Sequence, residues 1–188
     1  MRRRRMFAVT CLLVVVTPLL LARRVSASPV CDSSLPLNID AGQLGPQAIE
    51  LLQRSETFRQ QCERIADTRV LRVTLHVGMT VDSGGRAQTI INRYDAGGIR
   101  AEVILRFGED YFELLAHEFE HILEQVDGVS LPHEVALHRA WVTPTGAFET
   151  RRAADAGVRA RQEFDEQLAV ETVHVDGRKP PAARHPFD

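Results

Sequence analysis

The decapeptide Leu114-Leu115-Ala116-His117-Glu118-Phe119-Glu120-His121-Ile122-Leu123 carries one HExxH, at positions 117–121. On a helix His117 and His121 lie one turn apart on the same face, so both imidazoles can reach one divalent metal. Glu118 then stands beside the metal and not on it, where a carboxylate can take a proton from a water whose pKa the metal lowers. The pattern reads as zinc-dependent hydrolysis.

The flanks predict the helix that this reading needs. From Glu109 to Val126 the apolar residues Tyr111, Phe112, Leu114, Leu115, Phe119, Ile122, Leu123 and Val126 recur at three- and four-residue spacing, without proline or internal glycine. Glu109, Asp110 and Glu113 complement the dipole at the start, and Asp127-Gly128 closes the end. A chance motif would leave two unrelated histidines; a helical setting with an apolar flank favours a metal site.

Residues 1–27 read as an export signal: Arg2 to Arg5, an apolar run from Phe7 to Ala22, and small residues at Val25-Ser26-Ala27 before Ser28. The apolar run is short for a membrane span, which makes an uncleaved anchor the second choice. The whole chain has 23 basic and 25 acidic residues; six arginines and no acids lie in the leader, so the mature chain carries 17 against 25, a net charge of −8. Such an acidic chain is a poor partner for nucleic acid. Cys31 and Cys62 remain after export, and two cysteines in an oxidising compartment suggest one disulfide.

The mature length suits one domain. Residues 28–45, rich in proline, serine and glycine, read as an extended arm, and Pro46 to Ala66 as a helix. Three alternating segments, Val70 to Val81, Ala87 to Tyr94 and Ile99 to Phe107, are separated by Asp82-Ser83-Gly84-Gly85 and Asp95-Ala96-Gly97-Gly98. They predict a three-stranded antiparallel meander. Beyond the motif helix the pattern predicts a short helix over Pro132 to Trp141, a break at Thr143-Pro144-Thr145-Gly146, a long helix from Phe148 to about Leu168, a small strand from Glu171 to Val175, and a tail over 177–188. The predicted fold is α+β, a short antiparallel three-stranded sheet with packed helices, and the domain spans 46–176.

A catalytic zinc site takes three protein ligands and a water. Glu149 is the first candidate for the third ligand, near the start of the next long helix in Phe148-Glu149-Thr150-Arg151-Arg152-Ala153. The same residue also reads as an acid favoured by a helix dipole. Asp127 is a rival at six residues past His121, although Glu124 stands where a turn to it would want glycine. His133 and His138 are further candidates, but their five-residue spacing puts them on different helix faces.

With these residues the chain resembles the zincin metallopeptidases, and within them the gluzincins, in which a glutamate from a later helix joins HExxH. The resemblance covers roughly Ile99 to Ala160. It implies a zincin-like domain with His117, His121 and Glu149 as Zn2+ ligands and Glu118 as general base, acting on a peptide or protein substrate. Two positions depart from the pattern: Glu120 precedes the second histidine where an uncharged residue is usual, and Ala153 stands four residues past Glu149 where many gluzincins carry an acid.

Three functions compete. The first is an exported zinc metallopeptidase, for which His133, His138, Arg139 and Tyr111 are available by type to stabilise an oxyanion. The second is a noncatalytic zincin-like module that binds a metal or a partner. The third is an exported binding protein with an accidental motif, which stoichiometric metal would rule out.

Overall fold

The computed structural model describes residues 34–176 other than 80, 82–84, 96 and 145, with backbone alone at 173–176. The expected export signal, the start of the arm with Cys31, and the tail lie outside the described residues.

Strand β1 (Ile39–Asp40) and a 3-10 turn at Gly42–Leu44 lead into α1 (Gly45–Arg54) and α2 (Glu56–Asp67). Strands β2 (Leu71–Gly78), β3 (Ala87–Arg93) and β4 (Ile99–Arg106) precede the motif helix α3 (Tyr111–Val126). After it come α4 (Leu131–Ala136), the hairpin β5 (Ala140–Val142) and β6 (Phe148–Thr150), and α5 (Arg151–Asp176). The class is α+β, with the helices packed on a small mixed sheet.

The sheet corrects the expected meander. Its order is β1-β2-β4-β3, with β1 and β4 parallel to β2 and only β3 antiparallel to β4. Turn signals mark where the chain reverses, but burial decides which strand takes the centre. Leu71, Val73 and Leu75 of β2 and Ala101, Val103 and Leu105 of β4 are buried, whereas no side chain of β3 is fully covered, so β3 takes the edge. Strands β2 and β3 are thus separated by β4, two strand spacings of about 4.8 Å each. The arm, in turn, supplies β1, whose Ile39 pairs with Val73.

Four further expectations change. The helix predicted from Pro46 to Ala66 breaks at Ser55, whose hydroxyl caps α2 by accepting from Phe58 N at 3.1 Å and donates to Glu163 Oε2 at 2.7 Å. The helix predicted over Pro132–Trp141 stops at Ala136, and Trp141 belongs to β5. The start of the next helix moves from Phe148 to Arg151, because Phe148–Thr150 pairs with Ala140–Val142 across the turn that ends the break. The predicted strand at 171–175 is the last part of α5: the β-branched run suggests a strand, but a helix already nucleated propagates through it.

The core lies between the sheet and the helices. Phe58 of α2 packs on Phe119 of α3 with ring centroids 4.9 Å apart, in a buried cluster that includes Val73, Val103 and Leu115. Cys62 belongs to this core, and burial pushes its thiol far above the usual range. No disulfide occurs among the described residues, and the expected partner Cys31 is not one of them. Among the described residues no helix is long and apolar enough to cross a membrane.

Helix α5 packs on α3, its Ala153, Ala156 and Ala160 are buried, and Gly157 approaches Glu113 and His117 of α3. A Cβ on Gly157 would lie 3.0 Å from Glu113 O and 3.1 Å from His117 Cβ. The obstacle is backbone and cannot swing away. Gly157→Val should therefore destabilise the protein by about 1–3 kcal/mol in urea unfolding, the usual cost of overpacking. Gly45→Ala is the control: nothing lies within 4 Å of its Cβ position, and it should be neutral or stabilising by up to ~1 kcal/mol.

Candidate metal centre

Asp110 opens α3 by accepting hydrogen bonds from Phe112 N at 3.1 Å and Glu113 N at 3.5 Å, so the motif begins two turns inside a capped helix. His117 and His121 leave the same face, their ring centroids 4.9 Å apart. Glu149 meets them from strand β6 and not from a helix start, which differs from what the gluzincin resemblance implies. Its Oε2 lies 3.0 Å from His117 Nε2 and 3.5 Å from His121 Nε2. The three donor atoms all fall within 4.8 Å of one another. Two imidazoles and a carboxylate facing a cleft of about 870 Å³ form a donor set that could hold a metal ion.

The rivals are held elsewhere. Asp127 is engaged by Arg64 at 2.5 Å and Arg152 at 2.9 Å, while His133 and His138 are exposed and do not join the cluster. His133, His138, Arg139 and Tyr111, considered for oxyanion contact, do not line the cleft.

Glu118 lines the cleft but is outside the donor set, 5% exposed. Thr89 Oγ1, from β3, donates to its Oε2 at 2.5 Å. Burial raises the Glu118 pKa above the ordinary carboxylate value, against the opposing pull of His121, His117 and the Thr89 hydroxyl. Glu120, the unusual residue before His121, is a buried structural anchor that accepts from Gln61 Nε2 at 2.7 Å and Arg152 Nε at 2.5 Å.

Three polar contacts escaped the sequence reading. Glu124 Oε2 lies 2.9 Å from His121 Nδ1, and the three-residue helical spacing from His121 was the signal for it. Thr150 caps α5, accepting from Ala153 N at 3.0 Å, and a threonine before a helix was its signal. Thr89 had no local signal, because the sheet order brings it to Glu118.

The charges of the centre are coupled. Burial alone would lower the His121 pKa, but hydrogen bonds to Glu124 and Glu149, with the nearby Glu118 charge, raise it to about 10. Burial alone would raise that of Glu149, but hydrogen bonds from His117 and His121 take it down to about 2.

Two results are expected. First, a metal must displace the His121 proton, which is bound at all pH values below about 10, while Glu149 is already ionised. Zinc binding should release at least one proton, and apparent affinity should rise at least about tenfold per unit between about pH 6 and 8. Calorimetry in buffers of different ionisation enthalpy measures both, and a pH-independent affinity contradicts the assignment. Second, His117→Ala and Glu149→Ala should each strip the zinc found by metal analysis, whereas Asp127→Ala should retain it.

No family model, curated protein or solved structure matches this chain, and the functional reading rests on the geometry of this centre.

Proposed function

We propose that this protein is an exported zinc-dependent peptidase that hydrolyses extended peptide substrates. The observation that carries the reading is the division of labour on α3: two histidines converge with Glu149, while Glu118 faces the same cleft and takes no part in the donor set. His117, His121 and Glu149 would hold the ion. When bound, zinc supplies Lewis acidity, bringing the pKa of a water towards neutrality and polarising the scissile carbonyl.

The chain's own groups do the rest. Thr89 occupies Glu118 Oε2, which leaves Oε1 to accept a proton from the attacking water and return it to the departing amine. A carboxylate raised above its ordinary pKa by burial is the better proton carrier near neutrality. The open edge of β3 offers a substrate site. Arg106 N donates to Arg86 O and Tyr94 N to Gly98 O, so the even-numbered residues of β3 bond to β4. Ala87, Thr89 and Ile91 therefore turn their backbone N–H and C=O groups outward, along the cleft they line. A peptide could add there as a further strand, with its side chains against Leu114, Leu131 and Phe148. The basic start and apolar run of residues 1–27 support export.

Glu118→Gln keeps the shape of the side chain but cannot take the proton. It should retain zinc and folding while cleavage of a peptide library falls at least about a hundredfold. Equal cleavage by both proteins would remove Glu118 from the chemistry. No cleavage by the zinc-loaded wild type would leave a noncatalytic metal module.

A further inference from the structure

The donors of the centre come from two elements, α3 and β6, and a buried side chain outside the donor set ties those elements together. Glu124 follows His121 by almost one helical turn and is 2% exposed. Its Oε2 meets His121 Nδ1 at 2.9 Å, and its Oε1 accepts from Thr150 Oγ1 at 2.6 Å. Thr150 is the chain neighbour of Glu149, and its hydroxyl oxygen accepts in turn from Ala153 N at 3.0 Å in the first turn of α5.

We infer that Glu124 is a positioning residue of the metal centre, holding His121 with its hydrogen on Nδ1 and anchoring, through Thr150, the strand that presents Glu149. The inference rests on the metal reading of the site and does not require hydrolysis. An ionised carboxylate only accepts hydrogen bonds, so the Nδ1 facing it must donate. The lone pair of the neutral ring is then on Nε2, the atom 3.5 Å from Glu149 Oε2. A carboxylate behind a histidine ligand also makes the ring a stronger donor to a metal. The second oxygen of Glu124 sets the height of Thr150 along α3, and Glu149 is carried with it.

Glu120 shows what a merely structural carboxylate looks like on the same helix. It is also buried, at 8% exposure, but its partners are Gln61 and Arg152 and neither is a candidate ligand. The two glutamates flank His121, and only one of them touches it.

The test compares the full mature wild type with Glu124→Gln, Thr150→Val and Glu120→Gln. Folding of each metal-free protein is checked by circular dichroism. Zinc affinity is read by chelator competition, and the visible spectrum of the cobalt(II) form reports ligand geometry. Glu124→Gln should weaken zinc binding by about 10- to 100-fold, and Glu120→Gln should stay within about twofold of wild type. Glu124→Gln should also shift the cobalt bands, with Thr150→Val moving them less in the same direction. Unchanged affinity and an unchanged cobalt spectrum in Glu124→Gln would overturn the inference, as would an equal loss in Glu120→Gln. Should Glu124→Gln fail to fold, Thr150→Val decides by the same two readouts. A wild type that binds no zinc overturns both this inference and the metal reading. A zinc-binding wild type without peptidase activity, together with a weakened Glu124→Gln, supports the inference and removes only the hydrolytic function.

Discussion

The close contact of α3 with α5 governs the geometry of the candidate centre. A helix can approach another this nearly only where side chains are small, and α5 meets Glu113 and His117 of α3 with Gly157, amid buried Ala153, Ala156 and Ala160. Strand β6 runs without a loop into α5, so seating α5 on α3 also fixes the position of Glu149 relative to the two histidines. The close packing point at Gly157 thus lies eight residues past Glu149 in the chain and against His117 Cβ in space.

Buried charge is the second constraint. Glu118, Glu120 and Glu124 lie within seven residues of one helix, and all three are buried. A buried carboxylate is costly unless it is paired or hydrogen-bonded. Each is met by a different element: Glu118 by Thr89 of β3, Glu120 by Gln61 of α2 and Arg152 of α5, and Glu124 by His121 and by Thr150 of β6. The contacts to other elements tie the motif helix to β3, α2, α5 and the hairpin.

The sheet order carries a functional consequence. A meander would have put β3 in the centre, with both of its backbone edges satisfied by neighbouring strands. Placing β4 there instead leaves β3 at the margin, beside α3, with alternate backbone groups open to the cleft and Thr89 in reach of Glu118. Among the described residues, β3 thereby supplies both an edge with no neighbouring strand and the Thr89 hydroxyl that meets Glu118.

The sequence by itself determined the local features: the motif helix and its cap, the facing of His117 and His121, the break at Thr143–Gly146, and the α+β class. These follow from helical period, strand alternation and capping chemistry, all of which act over a few residues. Tertiary structure alone decided the order of the strands, because turn residues specify a reversal and not a neighbour, and burial of β2 and β4 settled the rest. It also placed Glu149 on a strand: the acid near a helix start was legible, but its secondary structure depended on pairing with Trp141 across the hairpin. Thr89, and the contact of Thr150 with Glu124, were invisible for the same reason, since a hydroxyl meets whichever carboxylate packing brings within hydrogen-bond reach.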